Sequence, residues 1–332
     1  MIQPTPLVSV LIPTYNRSKL LLRSLDSVLA QSYGHWQIIV VDDGSTDDTR
    51  SALASYRNRH SLDESRFLYL YQENQGKSVA LNRGIQELRT DWVAFLDSDD
   101  VWLPEKLEQQ WAALQSFGEG YGACFTDGRY VNTPAVETTV FARVGRVCDT
   151  PTAALNDATD LVLQDRGGIV FPSIFMRTSL LKKTGGFDPY LRIAEDRDFT
   201  YRLTQATSLC FVNEPLVEID RTPGRAVGLI ELLSAPAVLL DQHLYLYRKW
   251  LDACLPDDHR RREMIRRSLQ TLHSQMVNQF LALGDYRVAR EQAERAYRTL
   301  PGFRYWAKWR LTTIAPGLIR RIYGNSVLAT HR

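Results

Sequence analysis

The chain has 332 residues, enough for a large α/β core plus an appendage. Its 40 basic and 38 acidic side chains leave a formal charge of +2, so no global field argues for nucleic acid as a partner. Cys124, Cys148, Cys210 and Cys254 are scattered without a CxxC pair, which suits a reducing compartment and argues against a disulfide framework or a zinc site.

The stretch Met1-Ile2-Gln3-Pro4-Thr5-Pro6 lacks the basic and apolar regions of a signal peptide. No uncharged apolar run is long enough to span a bilayer, so the expectation is a cytoplasmic protein. Val8–Ile12 reads as a strand stopped by Pro13, followed by a helix from Ser18 to Ala30 with Leu21, Leu25, Val28 and Leu29 on one face. Gln37–Val41 is a second strand, and Ser45 or Thr46 can cap a helix beginning near Asp47. Phe67–Tyr71 is a third strand, leading through Gly76 into a helix ending near Leu88. Trp92–Leu96 is a fourth, and Pro104 opens the next helix at its first turn. This alternation calls for a parallel sheet with right-handed crossovers.

After Gly118 the rhythm loosens. Ala123–Phe125, Ile174–Met176 and Leu209–Val212 read as further strands, some antiparallel, and Thr126–Thr152 reads as loops over a site. From about Ala226 onward the pattern is helical, which places a catalytic domain in residues 1–225 and an α-helical region in 226–332. Gly284-Asp285-Tyr286 with Ala289, Ala293, Ala296 and Pro301 is similar to one half of a tetratricopeptide-type helix pair, without a second copy.

The most informative feature is where acids fall. Trp92–Leu96 is apolar enough to be buried on both faces, and Asp97-Ser98-Asp99 follows at its carboxyl end, where open α/β sheets bind ligands. Two aspartates one residue apart can converge on a hard divalent cation that bridges phosphate oxygens. A second acidic strand end is Val41-Asp42-Asp43-Gly44-Ser45. Together they point to a nucleotide site.

Five segments in order carry a family resemblance: Val8-Ser9-Val10-Leu11-Ile12-Pro13-Thr14-Tyr15-Asn16-Arg17, Val41–Asp47, Asn74-Gln75-Gly76-Lys77-Ser78, Phe95–Asp100, and Gly185-Gly186-Phe187-Asp188 with Glu195-Asp196-Arg197-Asp198-Phe199. They resemble family 2 glycosyltransferases, and the match spans roughly residues 7–222, the size of one large domain. The resemblance implies a GT-A fold: an α/β, Rossmann-like, mixed and mainly parallel sheet flanked by helices, here with a helical carboxyl-terminal extension. It further implies an inverting, metal-dependent, non-processive transferase. The donor would be a nucleotide-diphosphate sugar, taken as a UDP-sugar, and the acceptor a hydroxyl of a glycan or lipid-linked molecule in surface polysaccharide or glycoconjugate synthesis.

By that resemblance Pro13, Tyr15, Asn16 and Asp43 line the nucleotide pocket. Tyr15 offers a stacking face, and Asp43 an acceptor for a ring N–H. Asp43 equally suits loop capping, because Asp-Gly-Ser-Thr-Asp is good turn chemistry. Asn74, Gly76 and Lys77 fall near the base or ribose. Gly76-Lys77-Ser78 matches the end of a P-loop, but Tyr71 stands where that motif needs glycine. Helix-entry chemistry for Asn74 and Gly76, and a solvated charge for Lys77, are the plainer alternatives.

Asp97 and Ser98 belong to the nucleotide-sugar site, and Asp99 with Asp97 would hold Mn²⁺ or Mg²⁺ as a Lewis acid for the leaving diphosphate. The alternative is a polar turn with Asp100 as a helix cap; several adjacent acids repel without a cation or other compensation. Asp196 is the candidate base for the acceptor hydroxyl and Glu195 its orienting neighbour, against the common alternative of an acidic first helical turn. Asp188 shapes a turn with Pro189. Loops near Gly167-Gly168 and Thr126-Asp127 are candidates for sugar discrimination.

The Gln-x-x-Arg-Trp signature of processive synthases is absent, so one sugar per encounter is expected. Rival readings are a nucleotidyltransferase making nucleotide sugars, which would show a Gly-rich turn where Pro13-Thr14-Tyr15-Asn16 stands, and a scaffold that has lost catalysis. In the carboxyl-terminal third, Arg260-Arg261-Arg262 and Arg266-Arg267 form a basic segment. The last stretch mixes Arg304, Lys308, Arg310, Arg320 and Arg321 with Tyr305, Trp306, Trp309, Leu311, Ile314, Leu318, Ile319 and Ile322. That mixture fits an interfacial helix at the inner face of the plasma membrane, or a helix packed on the domain with solvated arginines. Pro316 splits it into two short helices. Nothing in the pattern fixes an oligomeric state.

Overall fold

The computed structural model describes residues 7–133, 139–222 and 236–319. The chain divides into two compact units, Met1–Ala226 and Val227–Arg332. Met1–Pro6, the boundary near Ala226, and Arg320, Arg321 and Ile322 lie outside the described residues.

The first unit begins β1 (Val8–Thr14), α1 (Ser18–Leu29), β2 (Trp36–Asp42), α2 (Thr49–Arg59), β3 (Phe67–Tyr71), α3 (Lys77–Gln86) and β4 (Trp92–Phe95). It continues with β5 (Val101–Trp102), α4 (Lys106–Phe117), β6 (Tyr121–Val131), α5 (Val140–Arg143), β7 (Thr152–Ala154) and α6 (Ala158–Leu163). A 3-10 turn at Phe171–Ser173 precedes β8 (Phe175–Arg177), α7 (Ser179–Thr184), α8 (Glu195–Ala206) and β9 (Ser208–Asp220).

The strand order is β3-β2-β1-β4-β8-β6-β9-β5, with β7 also on β9. β3, β2, β1 and β4 run parallel, β8 is antiparallel to β4 and β6, and β6 pairs parallel with β9. Strand side chains alternate into two cores. Val10, Ile12, Ile38 and Val40 pack on one face with Leu21 and Leu25 of α1. Leu11, Ile39, Val41 and Phe95 pack on the other with Ala80 and Leu81 of α3. Burial on both faces is why these strands read as continuous apolar runs. Gly84 lets α3 approach β1: a Cβ there would stand 2.2 Å from Leu11 Cδ1.

Pro13 sits inside a central strand without breaking it. Alternate residues of β1 face β2 and β4; Thr14 O accepts from Asp43 N on the β2 side, and Leu11 O from Leu96 N on the β4 side. Pro13 therefore faces β4, whose pairing ends at Leu11, so its missing N–H leaves no ladder bond unmade.

Several expectations are corrected. The stretch Thr126–Thr152 is not all loop: β6 continues to Val131, held by β9 across register shifts, and α5 follows. Helix α2 starts at Thr49 rather than near Asp47, whose Oδ1 accepts from Thr49 N at 3.0 Å, and Ser45 and Thr46 do not cap it. Helix α4 starts at Lys106, two residues beyond Pro104.

The second unit comprises α9 (Pro236–Ala253), α10 (His259–Leu283), α11 (Tyr286–Thr299), α12 (Phe303–Ile314) and α13 (Pro316–Ile319). Asp285 Oδ1 caps α11 through Val288 N, and Val277, Leu281, Ala289 and Ala293 form the small core between α10 and α11. Among the described residues no helix is long and apolar enough to cross a membrane.

Candidate active site

β2 and β3 lie to one side of β1, and β4 lies to the other. The carboxyl ends of β1 and β4 therefore flank a topological switch point, the place where open α/β sheets bind ligands. Tyr15, Asn16 and Arg17 leave β1 there, and Asp97, Ser98 and Asp99 leave β4. Arg17 Nη1 reaches from one loop to the other and meets Asp99 Oδ2 at 2.7 Å.

The Asp97–Asp100 turn is fastened from α1 and β9. Ser24 Oγ donates to Asp100 O at 2.7 Å, and Arg23 Nη2 donates to Asp99 O at 2.9 Å and to Asp220 Oδ2 at 2.8 Å. Asp220 N in turn donates to Asp100 Oδ1 at 3.0 Å. Asp100 is thus a tie to β9 rather than a helix cap. Burial pushes the Asp99 carboxyl up, opposed by Arg17 and reinforced by Asp97, and burial pushes Asp100 well up. Burial also acts upward on Asp220, but hydrogen bonds from Thr222, Arg23 and Asn132 outweigh it and leave about 2.

The β2 end organises the next loop. Asp43 is buried and accepts from Gln72 Nε2 at 2.7 Å, Gln75 N at 2.9 Å and Gly76 N at 2.8 Å. A carboxylate has about four acceptor sites, so Asp43 caps the loop and keeps one for another donor. Gly44, at φ +84°, lies so close to Asn74 that a Cβ would stand 2.7 Å from its backbone nitrogen. Asn16 adopts φ 51° and its Oδ1 accepts from Thr46 N at 2.7 Å, pinning the β1 loop to the β2 loop. Pro13 is buried, whereas Tyr15 is 42% exposed and offers its ring for stacking.

Lys77, the first residue of α3, joins the two halves of the site. Its Nζ lies 2.6 Å from Asp97 Oδ1 and 3.4 Å from Glu195 Oε1, and 4.3 Å from the centre of the Phe171 ring. It is no solvated charge: the carboxylates around it more than offset burial and hold its ammonium charged. Glu195 begins α8 after Ala194 at φ 61° and is buried; burial pushes its carboxyl up to about 7, with Lys77 opposing. Asp196 is half-buried and its Oδ1 accepts from Arg197 N at 2.7 Å.

Helix α3 also sets the approach to α8. Asn82 makes a paired amide contact with Phe187, donating to its O at 2.7 Å and accepting from its N at 2.9 Å. Ser78 Oγ donates to Leu191 O at 2.8 Å. Asp188 Oδ1 accepts from Tyr190 N at 3.0 Å, a turn role as expected.

The structure thus brings Tyr15, Asp97, Asp99, Lys77 and Glu195-Asp196 to neighbouring strand and helix ends, with Asp43, Asn74 and Gly76 on the adjoining loop. Arg17 stands in the first motif without a role assigned to it, and Arg23, Ser24, Asn82 and Asp220 stand in no motif. Arg17 precedes α1 and Arg23 and Ser24 lie in its middle, but their partners in the Asp97–Asp100 turn lie 73 or more residues away in the chain. Among the described residues no group of three or more His, Cys, Asp or Glu side chains forms a metal-sized cluster.

The pattern of the family described as "Glycosyl transferase family 2" matches residues 9–176. TuaG of Bacillus subtilis (strain 168), whose name assigns it to teichuronic acid biosynthesis, is 45% identical over 105 residues, 32% of this chain and 40% of that protein. WfgD of Escherichia coli, named as a UDP-Glc:alpha-D-GlcNAc-diphosphoundecaprenol beta-1,3-glucosyltransferase, is 37% identical over 105 residues, 31% of this chain and 39% of that one. The chain covers less than two thirds of these relatives' own length. Among solved structures, S. aureus TarS 1-349 in complex with UDP-GlcNAc superposes with TM-score 0.69 at 19% identity, over 98% of this chain and 92% of that one. The Pyrobaculum calidifontis mannosyltransferase PcManGT, in complex with GDP-Man and Mn2+, gives TM-score 0.56 at 19% identity, over 97% and 88%. At that identity the likeness concerns the fold, a mixed sheet flanked by helices of GT-A type. The matched motif order, the acidic strand ends at the switch point and the shared architecture agree: the chain belongs to glycosyl transferase family 2.

Proposed function

We propose that the chain moves a sugar from a nucleotide-diphosphate sugar, with UDP as the nucleotide, to an acceptor hydroxyl, inverting the anomeric centre. The observation that carries this reading is Lys77, whose ammonium sits between Asp97 of the donor half and Glu195 of the acceptor half. A diphosphate leaving group and an acceptor hydroxyl must meet at one sugar carbon, and Lys77 marks where the two carboxylate sets converge.

In this reading Tyr15 stacks on the base, Pro13 packs beneath it, and Asp43 uses its remaining acceptor site for a ring N–H. Asn16 holds the two loops together. Asn74, Gly76 and Ser98 contact base or ribose by backbone and short polar groups. Asp196 takes the proton of the acceptor hydroxyl as its oxygen bonds to the anomeric carbon; the bond from that carbon to the diphosphate breaks, and the nucleotide diphosphate leaves. Glu195, fixed by Lys77, orients Asp196.

The residues fit a hard divalent cation. Asp97 and Asp99 supply carboxylate oxygens, the donor type Mg²⁺ and Mn²⁺ take, and one or two carboxylates plus substrate phosphates suffice for such ions. When bound, the ion neutralises charge on the departing diphosphate as a Lewis acid. Lys77 and Arg17 hold the two carboxylates in place from the protein side.

The name of TuaG supports surface polysaccharide synthesis and that of WfgD a lipid-linked acceptor; such an acceptor would bring the chain to the inner face of the plasma membrane as a peripheral protein. The UDP-GlcNAc complex of TarS supports UDP, and the GDP-Man complex of PcManGT is the reason to test GDP beside it. Release of nucleotide diphosphate from a panel of UDP-, GDP- and dTDP-sugars, with membrane lipid extract as acceptor, tests the reading. Turnover by the wild type and its loss in Asp196→Asn are expected, with a β-glycoside from an α-linked donor by NMR. No release from any donor would contradict it.

A further inference from the structure

Helix α12 buries two polar side chains, Lys308 and Thr312, beside Trp309, and turns a row of large apolar side chains outward. Lys308 points into the second unit, its Nζ donating to Ser274 O at 3.0 Å, Ser274 Oγ at 2.7 Å and Asn278 Oδ1 at 2.8 Å. Thr312, one turn on, is 2% exposed, and Trp309 packs on the α10–α11 core and stacks on Tyr297 at 5.6 Å. The opposite side carries Phe303 at 81% exposure, Ile314 at 77%, and Trp306 and Leu311 at 40% each.

These positions share one face. At 100° per residue, Phe303, Trp306, Arg310, Leu311 and Ile314 fall within an arc of about 140°. Phe303 and Ile314 stand about 16 Å apart along the axis, three turns of helix. A globular helix normally buries such a stripe and exposes its amides and ammonium groups. Here an ammonium and a hydroxyl are turned inward while four large apolar side chains stay exposed, and an exposed apolar row of this kind marks an interaction surface.

Charge identifies what covers it. Residues 295–332 contain eight Lys or Arg and no Asp or Glu. Arg304 and Arg310 are exposed on α12, Arg310 within the row, where its guanidinium leans over the Trp309 ring at 4.9 Å, and Arg304 beside it. Aromatic and aliphatic side chains flanked by cations match the boundary between acyl chains and anionic headgroups. We infer that the outer face of α12 docks flat on an anionic lipid surface, with Phe303, Trp306, Leu311 and Ile314 entering the headgroup boundary and Arg304 and Arg310 meeting phosphates.

The inference rests on the proposed lipid-linked acceptor for its purpose, whereas vesicle binding is measured without any transfer step. The full chain would be co-sedimented with vesicles of phosphatidylcholine alone and of phosphatidylcholine mixed with phosphatidylglycerol. Binding to the mixed vesicles only is expected, weakened by added salt. The variant combining Phe303→Ser, Trp306→Ser and Ile314→Ser should lose roughly tenfold or more in vesicle affinity, since it removes most of the buried apolar area. These side chains are exposed, so the variant should keep its circular dichroism spectrum and nucleotide binding. Binding to neither vesicle, equal binding to both, or binding unchanged in the triple variant would each overturn the inference. So would a dimer in light scattering that the triple variant abolishes without vesicle binding, because the face would then belong to a second copy. Vesicle binding without turnover would leave this inference standing and remove the transfer reading.

Discussion

Lys77 and Glu195, 118 positions apart in the chain, meet with Nζ 3.4 Å from Oε1, while the same ammonium is 2.6 Å from Asp97. One cation thus holds two acids that arrive from a strand end and a helix start. Without it, adjacent buried carboxylates would repel or take up protons.

Asp196→Asn should keep donor binding and lose the proton acceptor. Its kcat is expected to fall about 10²–10⁴-fold, the range of a positioned general base, with the donor Kd within a factor of about two. Steady-state kinetics and donor titration on the same preparation check this. A comparable loss of donor affinity would place Asp196 in the donor pocket instead.

Glu195 gives a pH dependence of defined sign. Burial raises its carboxyl from 4.5 to about 7. Between those values the folded state binds more protons than the unfolded one, so this group makes stability fall as pH rises through the window. The full effect is about 3 kcal/mol at 1.36 kcal/mol per unit. Glu195→Gln removes the titration, so its stability relative to wild type should improve from pH 5 to pH 8 in denaturant melts. A gap that stays constant with pH would contradict the assignment.

The parts that could be read from the sequence share a physical reason. β1, β2 and β4 are buried on both faces, so burial writes itself locally as apolar runs, and their acidic ends stand out against them. β5 and β7 have two and three residues and exist only by pairing with β9, so no local pattern marks them. The extension of β6 to Val131 likewise depends on β9, whose Val217–Asp220 lie 89 positions later. Asp97, Asp99 and Glu195-Asp196 were visible as motifs. The bond from Arg17 to Asp99 and the bridge made by Lys77 depend on which loops the sheet order brings side by side.

Asp220 is a second site of pH-linked stability, with the opposite sign. Its carboxyl lies at about 2, below the model-peptide value of 3.8, so it contributes stability above pH 3.8 that is lost as pH falls through 2. Asp220→Asn should cost about 2 kcal/mol at pH 7 and less at pH 3, by urea denaturation. Loosening of the Asp97–Asp100 turn should also weaken nucleotide binding, a readout that stability alone would not move.

Gly44→Ala should be harmful out of proportion to its size. It forces a side chain into φ +84° and places a Cβ 2.7 Å from Asn74 N. A cost of about 1–3 kcal/mol is expected from backbone strain, together with displacement of the Asn74–Gly76 loop. Thermal melts and nucleotide titration would detect both; an unchanged melting temperature would contradict the close approach.

The central claim is a nucleotide-diphosphate site whose cation is held by Asp97 and Asp99. Calorimetric titration of UDP, GDP and dTDP, each with Mn²⁺ or with EDTA, on wild type and Asp99→Ala tests it most directly. One nucleotide, UDP, is expected to bind with Mn²⁺, and both EDTA and Asp99→Ala are expected to abolish the heat. Binding of no nucleotide under any condition, or UDP binding indifferent to both EDTA and the substitution, would contradict it.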